Sequence, residues 1–199
     1  MAHNLSFIAK NGSEIASVFE DLGKLRITVF RDFPYLYEGT LEHEMDYLQT
    51  YADSPRAFLF AVYDGLTMVG ATTCIPLADE TDDVRLPFEQ AGFNFDSIFY
   101  FGESILLPSY RGIGLGHRFF DEREAHARSS GIYTTTCFCA VERDENHPAN
   151  PPEYRPNDTF WTKRGYSKKP SLQSTFEWLD IGQTQPTAKK MVYWMRQLD

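Results

Sequence analysis

Cysteine is scarce: Cys74, Cys137 and Cys139 are the whole complement of a 199-residue chain. Three thiols set inside apolar runs exclude a disulfide framework. Cationic side chains are also in deficit, with 19 Lys and Arg against 28 Asp and Glu and a formal net charge of −9. A dedicated nucleic-acid binder is usually basic on at least one face, so that class is set aside. No apolar stretch approaches the ~20 residues that span a bilayer. The opening segment Met1-Ala2-His3-Asn4-Leu5 lacks the cationic n-region and long apolar core of a secretory signal. The sequons at Asn4 and Asn11 then carry no meaning. The expectation is a soluble, reduced, cytoplasmic protein with neither nucleic acid nor membrane as a partner. At ~150 residues per domain, residues 1–199 are expected to form a single domain. What is plentiful is aromatic: 16 Phe, 11 Tyr and 3 Trp. One small core does not need that many large rings, so some are expected to line a ligand pocket.

Hydrophobic periodicity orders the rest. Asn4–Lys10 reads as a strand, and Ile15, Val18, Phe19, Leu22, Leu25 and Val29 recur at helical spacing until the chain nears Pro34. An aromatic loop, Phe30–Thr40, leads to a second helix with Leu41, Met45 and Leu48 on its apolar face. Ala57–Tyr63, the Asp64-Gly65 turn and Leu66–Leu77 predict a hairpin. Ala78–Asp83 reads as acidic and exposed, and Leu86–Ala91 as a short helix. Then come a strand over Ser97–Leu107, a helix over Gly112–Ser130 and a Thr-rich strand over Ile132–Val141. A proline-rich loop, Glu142–Arg155, precedes a short helix at Asn157–Arg164. Ser174–Ile181 and Lys189–Leu198 form a terminal hairpin. No repeat or linker interrupts this order. The fold class is mixed α/β (α+β) around a mostly antiparallel central sheet.

The segment that carries chemistry is Leu106-Leu107-Pro108-Ser109-Tyr110-Arg111-Gly112-Ile113-Gly114-Leu115-Gly116. A strand ends, the chain turns through glycines, and a helix begins. Glycines let backbone approach a phosphate closely, and a helix N-terminus offers unpaired amides at a positive dipole end. Arg111 adds a fixed cation. Spacing alone is also compatible with a plain glycine turn. A dinucleotide fingerprint fails, because the last glycine it needs is His117 or Phe119 here, and the Gly-Lys-Ser/Thr of a P-loop is absent.

Arg111-x-x-Gly114-x-Gly116, preceded by a strand and Pro108, resembles motif A of the GNAT superfamily of N-acetyltransferases. Phe160-Trp161-Thr162-Lys163-Arg164-Gly165-Tyr166 resembles that family's second signature, and the element order is similar over nearly the whole chain. The resemblance implies a twisted sheet of about seven strands flanked by helices and splayed where acetyl-CoA inserts. It implies acetyl-CoA as cosubstrate. The pantetheine arm would lie along the backbone of Ile105, Leu106 and Leu107, with the Leu106 or Leu107 N–H as oxyanion donor. Backbone amides from Gly112 through Ile113, Gly114, Leu115 and Gly116 to His117 would hold the pyrophosphate, beside Arg111. Trp161 and Arg164 join this set. Metal is expected nowhere: the pairs His117–Asp121 and Glu122–His126 read as solvated helix contacts.

The activity implied is direct attack of a small-molecule primary amine on the acetyl thioester in a ternary complex. Glu103 is the candidate general base, eight positions before Arg111. The family's usual tyrosine, four before the second motif's glycine, is replaced by Trp161, an N–H donor with no useful titration. Tyr154 is therefore carried as candidate general acid, with Tyr100, Tyr110 and Tyr166 as alternatives. Arg31, Tyr35, Tyr37 and Arg143 are expected on the acceptor side, from the loops at Arg31–Glu38 and Glu142–Arg155. A protein amine as acceptor, or a non-catalytic CoA-binding sensor or scaffold, are the competing readings. A homodimer is left open.

Overall fold

The computed structural model describes residues 4–199; Met1, Ala2 and His3, part of the opening segment read above for a targeting signal, lie outside the described residues. Seven strands form one sheet: β1 (Leu5–Asn11), β2 (Phe58–Asp64), β3 (Thr67–Pro76), β4 (Ile98–Leu106), β5 (Thr135–Val141), β6 (Ser167–Trp178) and β7 (Thr187–Gln197). Their spatial order is β1-β2-β3-β4-β5-β7-β6. Every pairing is antiparallel except β4 with β5. The helices are α1 (Phe19–Phe30), α2 (Leu41–Asp53), α3 (Asp82–Gln90), α4 (Leu115–Ser129) and α5 (Asp158–Lys163). The expected class, a mixed sheet flanked by helices, is what the chain forms.

Two apolar clusters lie on opposite faces of the sheet. One gathers Phe19, Leu22 and Leu25 of α1, Leu48 and Tyr51 of α2, and Val84 and Phe88 of α3. The other gathers Leu115, Phe119, Phe120 and Ala127 of α4 with Tyr166 and Trp194. Each fully buried Leu or Phe of these faces contributes roughly 1.5–3 kcal/mol relative to exposure.

Several boundaries move from the sequence reading. The first helix opens as a 3-10 turn, Gly12–Val18, before α1. Helix α3 starts at Asp82 rather than Leu86, with Asp82 and Asp83 in its first turn, where the helix dipole favours carboxylates. Strand β6 begins at Ser167, because it pairs with β7 through its backbone although its early side chains are mostly exposed. The stretch Ala78–Asp83 is not uniformly exposed: Glu80 turns inward and is 5% exposed. Its carboxylate accepts hydrogen bonds from Tyr51 Oη and the Thr81 amide, both at 3.1 Å, which repay part of the desolvation that an acidic run alone would avoid.

One irregularity sets the position of the functional residues. Between the pairs Thr72↔Ser104 and Cys74↔Phe101, Thr73 of β3 faces both Gly102 and Glu103 of β4. This β-bulge shifts the side-chain alternation by one residue. Before it, Ile98 and Tyr100 face the α1–α3 cluster; after it, Ile105 does. Glu103 is thereby turned toward α1 and α2. Only glycine fits at 102, because a Cβ there would collide with the Tyr51 hydroxyl and the Thr73 side chain.

Candidate active site

The parallel pair β4–β5 is short. Its ladder runs only from Ile98↔Thr135 to Tyr100↔Cys137. Beyond that point β4 continues beside β3 as far as Leu106, and β5 continues beside β7 as far as Val141. The two strands part, leaving a wedge whose walls have no ladder between them. This is the splay that the resemblance implied.

The β4 wall distinguishes the two residues carried as alternative oxyanion donors, Leu106 and Leu107. The Leu107 amide donates to the Val69 carbonyl at 2.9 Å, so it closes the ladder to β3 and is not a free donor. Alternation along an antiparallel ladder then turns the Leu106 amide to the opposite edge, into the wedge. Of these two amides, only that of Leu107 is used by the ladder to β3. The Leu106 carbonyl accepts from Arg111 Nε at 3.1 Å, so Arg111 fastens the strand end to the glycine loop.

The loop itself fits a diphosphate. Gly112 and Gly114 adopt φ of +79° and +93°, and nothing lies within 4 Å of where a Cβ would stand at either. Gly114 is the N-cap of α4, whose first-turn amides have no helical acceptor ahead of them. Residues Gly112, Ile113 and Gly114 are exposed, and the amides of Leu115, Gly116 and His117 follow at a positive dipole end. His117 packs edge-on against Phe160 at 4.9 Å. Strand wedge and amide nest are the two features to which the resemblance assigned the pantetheine arm and the pyrophosphate of acetyl-CoA.

The second signature is tied into the fold by its own contacts. Arg164 pairs with Asp121 at 2.7 Å and Glu124 at 3.2 Å, binding α5 to α4. Trp161 is half-buried in the ring cluster with Phe138 and Trp194, at 5.0 and 5.2 Å. Both residues brace the wall behind the wedge.

On the α1–α3 side of the bulge lies a cavity of about 310 Å³ that Tyr100, Gly102, Glu103 and Cys139 join to the parting strands. Phe30, Tyr35, Tyr37, Tyr47, Phe176 and Trp178 give it aromatic walls. Its charges are Arg26, Glu80, Asp83, Glu103 and Glu177, so carboxylates outnumber the guanidinium. Arg26 bridges Glu44 and Glu103, and its guanidinium carbon lies 4.2 Å from the centre of the Tyr47 ring. The other Glu103 oxygen accepts from Thr73 Oγ1, while the Glu103 amide donates to that same hydroxyl at 3.0 Å. Glu103, 2% exposed, is thus aimed into the cavity with both oxygens engaged. Glu80 has only neutral hydrogen-bond partners, and burial pushes its carboxyl above the usual range. Burial likewise pushes the Tyr47 hydroxyl and the Cys139 thiol up to about 12, so neither is a nucleophile near neutrality.

Of the expected acceptor residues, Tyr35 and Tyr37 line the cavity. Arg31 is exposed and paired with Glu38 at 2.7 Å. Arg143 is consumed by structure: it holds both Asp180 oxygens at 2.8 and 2.9 Å and the Pro34 and Tyr35 carbonyls at 2.8 Å. Tyr154 sits outside the cavity lining, edge-on to Phe33 at 4.8 Å, and burial raises its hydroxyl. Arg26, Glu44 and Glu80 carry no local sequence signal. The packing of α1 and α2 over the sheet brings Arg26 and Glu44 to Glu103, and the Tyr51 hydroxyl meets Glu80.

Residues 26–151, more than half of the chain, match the model of the Acetyltransferase (GNAT) family, and the chain belongs to that family. It is an acyltransferase that takes its acetyl group from acetyl-CoA. Solved structures share the architecture at low identity. An acetyltransferase from Thermus thermophilus is 16% identical with a TM-score of 0.57, over 99% of this chain and 100% of that one. The structure of yncA from Salmonella typhimurium with its cofactor acetyl-CoA is 10% identical with a TM-score of 0.58, over 98% and 95% of the two chains. A ribosomal-protein-alanine N-acetyltransferase from Brucella melitensis is 12% identical with a TM-score of 0.56, over 96% and 99%. No curated protein matches the chain. Among the described residues, no helix is long and apolar enough to cross a membrane.

Proposed function

We propose that the protein acetylates a primary amine of a small molecule, by direct attack in a ternary complex. The observation that carries this reading is the aromatic cavity, rich in carboxylates, that opens onto the parting of β4 and β5. Flat walls suit an organic body of modest size, and a surplus of negative charge draws an ammonium. Bound acetyl-CoA supplies the activated acetyl thioester. The Leu106 amide is the donor assigned to its carbonyl oxygen, and one preorganised donor of this kind typically contributes ~3 kcal/mol or more. A thiol of pKa ~8.5 leaves without full protonation, which removes the need for a tyrosine at the Trp161 position.

The amine must be neutral to attack. For a lysine-like pKa of ~10.4, deprotonation at pH 7 costs about 4.6 kcal/mol. Glu103 attracts and orients the ammonium. Its two oxygens are already held, one by Arg26 and the other by the Thr73 hydroxyl. A reduced compartment, the cytoplasm, suits the three free thiols.

The test is release of free CoA thiol from acetyl-CoA across a panel of small primary amines and N-terminal peptides. Turnover with small amines and none with peptides is expected. Turnover with peptides alone overturns the acceptor class, and acetyl-CoA binding with no thiol release from any acceptor favours a sensor.

A further inference from the structure

Glu80 stands in the wall between two cavities. Glu80 and Thr81 line both the aromatic cavity and an open depression of about 470 Å³ on its far side. That depression is otherwise formed by Thr50, Asp53, Ser54, Pro55 and Asp79. A buried carboxyl that has accepted a proton must lose it before the next cycle. The amine, once bound, occupies the cavity side of Glu80, so the outer depression gives the proton an exit that does not pass the substrate.

We propose that Glu80 takes the proton from the acceptor ammonium in the aromatic cavity and discharges it to solvent through the outer depression. This rests on the amine-acetylating reading above. In the first step the ammonium N–H bond breaks, its electron pair stays on nitrogen as the attacking lone pair, and an O–H bond forms on Glu80. In the second step that O–H bond breaks, and the proton passes to water at the depression, where the Asp53 and Asp79 carboxylates stand. No oxidant, reductant or further reactant is required.

The other carboxylates near the site fit less well. Glu103 is ion-paired with Arg26. Glu44 is fully buried, shares the same guanidinium and is not a lining residue of the cavity. Asp83 and Glu177 line it but are exposed, so substrate does not shield them from water. Among the described residues, the titratable groups coupled to Glu80 include Arg26 from α1, Tyr47 and Tyr51 from α2, Tyr100 from β4, Cys137 and Cys139 from β5, and Tyr193 from β7, while His43, Asp83, Glu103 and Glu177 line the aromatic cavity with it and Asp53 and Asp79 the depression. Arg26 is the guanidinium among them, and burial outweighs it, holding the Glu80 carboxyl above the usual range. A base poised closer to neutrality accepts a proton more readily.

Two variants test the assignment. Glu80→Gln keeps the size of the side chain and an acceptor for Tyr51. It is expected to lower kcat/KM for the amine roughly 10²–10⁴-fold at pH 7. The acidic limb of the pH–rate profile should vanish, with acetyl-CoA affinity and the melting temperature little changed. Thr50→Trp fills the outer depression without touching the lining of the aromatic cavity. It is expected to lower kcat at saturating amine and to raise the solvent deuterium isotope effect. An intact acidic limb in Glu80→Gln overturns the base; unchanged kcat and isotope effect in Thr50→Trp overturn the exit. If the wild type acetylates an amine and Glu80→Gln matches it, the amine reading stands and only this inference falls. If the wild type acetylates none, both fall together.

Discussion

Arg143 was expected to grip substrate, and the folded chain uses it as a clamp. Its guanidinium reaches Asp180 with both arms and the Pro34 and Tyr35 carbonyls besides. It thereby fixes the loop that carries Tyr35 and Tyr37 against the β6–β7 hairpin, and one wall of the cavity depends on it. Burial alone would raise the Asp180 carboxyl, but Arg143 and Lys189 outweigh burial and hold it below the usual carboxylate range. A depressed folded-state pKa stabilises the fold above the unfolded value of about 4, and that stabilisation is lost as pH falls through the folded value. Arg143→Ala is therefore expected to cost about 2 kcal/mol at pH 7, the loss of several charge-assisted hydrogen bonds. The difference should narrow when melting is followed below about pH 4. A gap that stays constant with pH would mean that packing, not the ion pair, holds the loop. Nothing in the local sequence separates an arginine that binds a ligand from one that binds a neighbouring loop. Partners as remote as Pro34 and Asp180 decide it.

The strand–loop–helix unit of β4, the glycine turn and α4 was legible because its demands are local. Positive φ at Gly112 and Gly114 and an uncapped helix N-terminus are properties that a short string of residues can specify. The β4 bulge was not legible, because Gly102 is required by Tyr51 of α2 and Thr73 of β3, which meet it only in the folded sheet. With the bulge unseen, the facing of Glu103 and its pairing with Arg26 were hidden as well. Glu80 was lost for the same reason: an acidic run reads as solvent-facing until α2 packs over it. The glycine turn nevertheless gives a sharp test. Gly114→Asp puts a side chain on a left-handed backbone and a negative charge where the diphosphate would sit. Acetyl-CoA binding by calorimetry is expected to fall at least 100-fold, more than 2.7 kcal/mol by the affinity relation, while the fold survives. Binding within a few-fold of wild type would move the diphosphate elsewhere.

Taken whole, the sheet is two half-sheets, β1–β4 and β5–β7–β6, joined by a ladder of only three residue pairs. The helices divide across its two faces, α1–α3 on one and α4–α5 on the other. The wedge between the halves is therefore the place where a ligand adds most to the cohesion of the molecule. An extended arm laid along it gives the parted strand edges a partner on each side, which is the gain that a strand added to an open edge provides. A ligand that binds only the folded state at 100 times its Kd stabilises by ~2.7 kcal/mol, or roughly 5–10 °C in Tm for a chain of this size. Acetyl-CoA is expected to produce a shift of that order. Amide exchange should slow most at Ser104 and Leu106 of β4 and along Phe138–Val141 of β5, where the two strands part. The amides of Gly112–His117 should slow with them. β1 and β2, already paired and distant from the wedge, should change little. A rise in Tm with protection spread evenly over the sheet would show that the acetyl donor does not lie between the halves.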